Sequence, residues 1–265
     1  MIETNKVFQG NCIDVMGQME KDSVELILTD IPYDGVNRPS NGLRVLDKQD
    51  ADIITFNLDV FVKECIRISK GSIYIFCGRS QLSKIYNLMN ENKLSTRVIV
   101  WEKTNPSPMN GQHIWLSGTE FAVYGKKRNA VFNAHCRNTV LRYPNGRNKK
   151  HPTEKNLDLF KDLIQTSSNE GDLVFDPCVG GGTTAVASKE TGRNFVCSDI
   201  SKDYVDIANK RVDSTAHQIT LASPTFPTEK AINKDLTATQ QVATPKSAEL
   251  TSLNPNMKLN SLRGL

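Results

Sequence analysis

Short apolar runs rich in β-branched and aromatic residues alternate along the chain with segments whose apolar positions recur every three or four residues. The runs predict strands at 24–29 (Val-Glu-Leu-Ile-Leu-Thr), 72–77 (Ser-Ile-Tyr-Ile-Phe-Cys), 96–101 (Thr-Arg-Val-Ile-Val-Trp), 119–124 (Thr-Glu-Phe-Ala-Val-Tyr), 172–176 and 194–198. The periodic segments place Phe61, Cys65 and Ile68 on one helical face. Leu82, Ile85 and Met89 do the same, as do Leu159, Leu163 and Ile164, and Tyr204, Ile207 and Ala208. Strand and helix in turn predict an α/β fold: a Rossmann-like, mainly parallel sheet with helices on both faces.

Two stretches break the alternation. Residues 104–118 begin Thr-Asn-Pro-Ser-Pro-Met-Asn-Gly, too rich in turn formers for a helix, and are expected to form a mobile loop near the site. After Asp213 the chain turns to Ser, Thr, Asn, Gln, Lys and Pro, with Phe226 as its only aromatic residue. Such a segment buries too little apolar surface to offset the entropy of ordering, so residues 1–213 are read as one domain and 214–265 as a disordered tail.

Two strand ends carry candidate chemistry. Val174-Phe175-Asp176-Pro177-Cys178-Val179-Gly180-Gly181-Gly182-Thr183-Thr184 reads as a buried strand, an acidic stop and a glycine turn opening a helix. The glycines permit positive φ and close backbone approach, and the helix start favours an anionic group. A Walker loop needs a lysine where this chain has Thr183-Thr184, which argues against an ATPase or GTPase. Gly180-x-Gly182-x-x-Ala185, with Asp199 ending the next strand, also fits the dinucleotide fingerprint of a nicotinamide-dependent oxidoreductase. Asp176 before the first glycine suits a cation or amine better than a pyrophosphate, and S-adenosylmethionine carries both a sulfonium and an α-amine. Asp199 would accept from ribose hydroxyls with either cofactor.

Thr29-Asp30-Ile31-Pro32-Tyr33 follows another apolar run. A turn of this composition is ordinary in itself. It also offers what chemistry on a nucleobase amine requires. That nitrogen is a poor nucleophile because its lone pair is delocalised. The Asp30 carboxylate and the Ile31 carbonyl would grip its N–H bonds, Pro32 would stiffen the loop, and Tyr33 would stack on an extruded base.

Composition narrows the setting. A chain of 265 residues, 38% hydrophobic and 23% charged, with net charge +4, suits one medium-sized soluble domain with some excess chain. Six scattered cysteines form neither a Cys-x-x-Cys pair nor a Cys/His cluster, so no metal site and no disulfide framework is expected. With no basic leader or membrane-length apolar run, the expected location is the cytoplasm. Between 126 and 150 stand Lys126, Lys127, Arg128, Arg137, Arg142, Arg147, Lys149 and Lys150 without one Asp or Glu, a segment that would attract a polyanion.

Taken together, these motifs resemble the amino-group (N6-adenine/N4-cytosine) DNA methyltransferases of the permuted β class, over about residues 7–212. The resemblance rests on Asn11-Cys12-Ile13-Asp14 ahead of the first strand, Asp30-Ile31-Pro32-Tyr33, Trp101-Glu102-Lys103 with Asn105, and Glu120-Phe121-Ala122-Val123. It continues through His151-Pro152-Thr153-Glu154-Lys155, the Phe175–Thr184 loop and Asp199. It implies S-adenosylmethionine as cofactor, held by Asp30, Asp176, Pro177, Gly180, Gly182, Thr183 and Asp199. Thr153 and Lys155 would lie near its methionine end, and Cys12 and Ile13 near its adenine. Catalysis would fall to Asp30, Ile31, Pro32 and Tyr33, and DNA recognition to 126–150. The implied partner is double-stranded DNA, in a restriction-modification setting, with a homodimer left open. Ile31 replaces the family's usual first proline, Asn156 a further proline and Gly181 a serine. Asp at the head of the tetrapeptide favours adenine N6 over cytosine N4, and transfer would be direct and in-line.

Overall fold

Alternation of side chains along two central strands decides how the chain layers itself. In the computed structural model, which describes residues 2–33, 56–108, 111–146 and 155–215, these strands are β2 (Val24–Asp30) and β3 (Ser69–Cys77). Ile27, Ile73 and Ile75 face one side of the sheet, while Leu26, Leu28, Tyr74 and Phe76 face the other, as a period of two requires. Both sides are buried, so these strands read as nearly continuous apolar runs.

The first side is covered by α1 (Cys12–Gly17), α2 (Leu58–Ile68) and α3 (Arg79–Glu91), through Met16, Phe61, Cys65, Ile85 and Met89. On the other side α4 (Leu157–Ser167) inserts Leu159, Phe160, Leu163 and Ile164, with α5 (Thr183–Glu190) beside it. A last helix, α6 (Lys202–Ser214), packs next to α5. Asparagines start three helices. Asn11 accepts from the Ile13 amide, Asn57 from Asp59 and Val60, and Asn156 from Leu159. The departure at Asn156 is thus a helix cap in place of a rigid proline.

The remaining strands are β1 (Lys6–Gln9), β4 (Ser95–Lys103), β5 (Thr119–Lys126), β6 (Val140–Tyr143), β7 (Leu173–Asp176) and β8 (Asn194–Asp199). Their order is β1-β8-β7-β2-β3-β5-β4-β6, with β5 antiparallel to both neighbours and every other pair parallel. Seven strands therefore end at one edge of the sheet, where β5 begins.

All six predicted strands and the four periodic helices are present. Three elements were not predicted: β1 and β6, four residues each, and α1, six residues, are too short for a period to show. Asn11-Cys12-Ile13-Asp14 consequently follows β1 rather than preceding the first strand. The predicted tail from 214 lies, apart from Ser214 and Thr215, outside the described residues. Ser214 closes α6. Among the described residues no helix is long and apolar enough to cross a membrane.

Candidate active site

Strands β7 and β2 are hydrogen-bonded neighbours, with Leu26 opposite Val174 and Ile27 opposite Phe175. From the end of β7 the chain passes through α5 to β8 on one side; from the end of β2 it continues to α2 and β3 on the other. A reversal of this kind opens a crevice at the carboxyl ends of the two strands. Asp176 and Asp30 are the last residues of these strands, so the glycine loop and the Asp-Ile-Pro-Tyr segment meet there. Thr184 ties them: its hydroxyl donates to the Asp176 carboxylate and lies 3.4 Å from the carbonyl of Leu28.

On the glycine side the backbone turns left-handed at Gly180 (φ 49°) and Gly182 (φ 84°). A Cβ on Gly182 would stand 2.9 Å from the Cα of Ala208 in α6, so this position is fixed by packing. A Cβ on Gly180 would meet nothing within 4 Å, leaving that side of the loop open to a ligand. Asp199 organises the turn: its carboxylate accepts from the amides of Gly180 and Ser201, both at 2.9 Å. Burial pushes the Asp176 carboxyl up to about 7, against the hydrogen bonds from Thr184 and from the Cys178 amide at 3.0 Å. Cys12 follows β1 into the same edge, where it and Cys178 share a hydrogen bond that lowers the Cys12 thiol and raises that of Cys178.

On the other side the reactive segment is held from behind. Ile31 donates its amide to the carbonyl of Phe76 at 3.1 Å. The buried Gln81 donates to the Pro32 carbonyl at 2.9 Å and accepts from the Gly78 amide at 2.7 Å. Gly78 itself presses on Tyr33, where a Cβ would come within 3.3 Å of the tyrosine Cβ.

Four charged groups meet in front of it. The Lys155 ammonium lies 3.1 Å from Asp30 Oδ2, pairs with Glu120, donates to the Tyr33 hydroxyl at 2.8 Å and stands 5.0 Å from the centre of that ring. Lys103 holds the other Glu120 oxygen at 2.6 Å. Asp30 Oδ1 is buried and takes no hydrogen bond among the described residues. Burial raises the Asp30 carboxyl to about 6 although Lys155 draws it down. Burial would also raise Glu120, but the two lysines outweigh it and hold that carboxyl at about 2. Lys155 stays charged, well above its ordinary value, because Asp30, Tyr33 and Glu120 overcome its desolvation. The site therefore pairs an acceptor that titrates near neutrality with a cation and an aromatic face.

Residues 123–210 match the DNA methylase family of N6 and N4 methyltransferases. The type II methyltransferase M.HpaI of Haemophilus parainfluenzae is 30% identical over 236 residues, which cover 77% of this chain and 73% of that protein. The chain belongs to the amino-group DNA methylases. The methylase also superimposes on the M1.HpyAVI complex with S-adenosylmethionine, with a TM-score of 0.61, 28% identity and coverage of 78% of this chain and 98% of that one. With the cytosine-N4-specific PvuII methyltransferase it shares the fold, at a TM-score of 0.58 and 14% identity over 86% of this chain and 89% of the other. The family's cofactor is S-adenosylmethionine.

Most residues singled out in the sequence converge on this one edge of the methylase: Cys12, Ile13, Asp30, Ile31, Pro32, Tyr33, Lys155, Asp176, Pro177, Gly180, Gly182, Thr183 and Asp199. Thr153, Arg147, Lys149 and Lys150 lie outside the described residues. The described members of the basic segment do not share one surface. Lys126 ends β5, the antiparallel strand, at the opposite edge of the sheet and Lys127 and Arg128 follow it there, Lys127 pairing with Asp22 at 2.6 Å. Arg137 is engaged by Asp162 and donates to Thr166 at 2.9 Å. Arg142 alone of the described group is exposed near the site's edge, paired with Glu102 at 3.1 Å. Gln81 carries no sequence signal, because a glutamine on a helix face reads as solvated. Glu120 and Lys103 belong to motifs of the resemblance, yet only the folded chain shows that they bracket Lys155. Among the described residues no group of three His, Cys, Asp or Glu side chains could hold a metal ion.

Proposed function

We propose that this methylase transfers a methyl group from S-adenosylmethionine to the exocyclic N6 amine of adenine in double-stranded DNA, on a base rotated out of the helix. The observation that carries the reading is Asp30: a partly buried carboxylate beside the crevice, with Oδ2 on Lys155 and a buried Oδ1 without a donor among the described residues. A buried acceptor without a donor is costly, and an amine N–H is the group that would satisfy it. Tyr33, fixed from behind by Gly78, supplies the face for the base.

The residues present fit the cofactor. Asp176, Pro177, Gly180, Gly182, Thr183 and Asp199 would hold it in the crevice, with Cys12 and Ile13 at its periphery and the open flank of Gly180 allowing close backbone approach. S-adenosylmethionine supplies, when bound, an electrophilic methyl group on a positively charged sulfur. Asp30 and the Ile31 carbonyl draw the amine hydrogens and make its lone pair available. As the N–C bond forms, the amine becomes cationic and must lose one proton. Asp30, ionised above about 6, takes that proton and passes it to water. Lys155 keeps Asp30 ionised within its buried setting. The catalytic tetrapeptide preceding the glycine loop in the chain supports the permuted arrangement, and Asp at its head supports adenine.

The test is nucleoside analysis of DNA incubated with the chain and S-adenosylmethionine. N6-methyladenine is expected with the native chain and none with Asp30→Ala, which should still bind DNA. N4-methylcytosine alone would sink the adenine assignment and leave the family intact, and full turnover by Asp30→Ala would remove Asp30 from the mechanism.

A further inference from the structure

The loop between β4 and β5 leaves the sheet at the edge that carries the site, and its tip is apolar. Trp115 is 95% exposed and Ile114 67%, the two most exposed large apolar side chains among the described residues. This is not a frayed loop with a stray aromatic. Leu116 folds back onto Gly111, whose amide donates to the Pro108 carbonyl at 3.0 Å, so closely that a Cβ on Gly111 would come within 2.7 Å of Leu116 Cδ2. Leu116, still 46% exposed, packs in part against Gly111, and Trp115 beside it is turned outward.

The base of the loop is anchored on both sides of the site. Ser117 accepts from Arg79 at 3.5 Å, and Arg79 follows Gly78, the residue pressed against Tyr33. Asn105 exchanges hydrogen bonds with the backbone of Asn145, beyond the end of β6. From Thr104 to Gly118 there is no Asp or Glu, and the exposed Arg79 reaches the loop at Ser117. An outward indole on a loop free of acids, with the Arg79 guanidinium at its base, suits a polyanion with stacked aromatic planes. A second copy of the chain fits less well: the exposed parts of Ile114, Trp115 and Leu116 offer on the order of a few hundred Å², well short of the ~800 Å² per partner of a stable interface.

Resting on the base-rotation reading above and extending it, we propose that Trp115 enters duplex DNA at the target site and stacks in the gap that the departing adenine leaves. Its role is that of a positioning residue: it stabilises the opened duplex while Asp30 and Tyr33 engage the extruded base.

Two experiments test this. The chain has two tryptophans, and the other, Trp101, is buried, so quenching of exposed indole emission by duplex DNA reports on Trp115 directly. Quenching is expected, and saturating DNA binding without it would overturn the proposal. The second compares Trp115→Ala, Trp115→Phe and the native chain on a duplex carrying the mapped methylation site, fully paired or with an abasic position opposite the target. On the paired duplex Trp115→Ala should lose about tenfold or more in kcat/KM and Trp115→Phe much less, in keeping with the strength of base–aromatic stacking. On the abasic duplex, where the target base is already unpaired, Trp115→Ala should approach the native rate. Equal loss on both duplexes, no loss on either, or a native chain that self-associates through Trp115 would each refute the role. A native chain that methylates no DNA at all would instead sink the underlying functional reading.

Discussion

Removing the Lys155 charge tests the electrostatics of the site most directly. Lys155→Met keeps the length of the side chain and deletes the ammonium 3.1 Å from Asp30 Oδ2. Two unit charges at that separation interact by roughly 1–5 kcal/mol for an effective permittivity between 80 and 20. That corresponds to about 1–4 pH units. A neighbouring cation favours the ionised carboxylate, so its loss raises the Asp30 pKa. The acid limb of kcat/KM for DNA, expected near pH 6 in the native enzyme, should move at least about one unit toward alkaline pH, with activity recovering at high pH. Glu120→Gln supplies the opposite sign. Its negative charge now raises Asp30, and deleting it should shift the same limb downward. Both variants are assayed by initial methyl transfer to subsaturating DNA from pH 5 to 10, with saturating cofactor and melting curves recorded in parallel. An unmoved limb in both variants, or shifts of the same sign, would refute the claim that Lys155 and Glu120 set the charge state of Asp30.

The cofactor loop offers a paired test: at Gly182, φ 84° and a Cβ contact of 2.9 Å with Ala208 combine, so Gly182→Ala should cost about 1–3 kcal/mol or more in denaturant unfolding. Gly180→Ala meets no neighbour but is strained at φ 49°, so it should cost about 1–2 kcal/mol of stability without a packing clash and in addition weaken S-adenosylmethionine binding by calorimetry; unchanged affinity would place the cofactor elsewhere. Asp176, raised to about 7, gives the ligand-free fold a contribution that is complete below pH 4 and lost as pH rises through 7, amounting to about 4 kcal/mol. Asp176→Asn should therefore melt above the native chain at pH 8, less so at pH 5.5, and fail to bind cofactor; a lower melting temperature at pH 8 would contradict the burial argument.

What the amino-acid sequence discloses and what it hides follow from how locally each feature is encoded. Asp30 and Asp176 could be placed at strand ends because a β-rich run followed by a turn is a contiguous signal, and parallel neighbours then bring those ends together. The five described cations between 126 and 150 are dispersed for the converse reason. A count of charge carries no strand direction, and β5 runs against its neighbours, so it delivers Lys126 and Lys127 to the far edge while its first residues, Thr119 and Glu120, face the site. Arg137 is drawn off by Asp162 on α4, a partner that nothing near it in the chain announces. The Lys155 cluster is hidden more deeply still. It joins Lys155 to Tyr33 across 122 residues and to Glu120 across 35, and its effect is a balance: burial lifts Asp30, Lys155 pulls it back, and the result near 6 exists only when all three charges share one pocket. Residue identities could nominate Asp30 as an acceptor, but its capacity to release and retake a proton near neutral pH is a property of the assembled edge, since each contributing charge alone would move it to one side or the other.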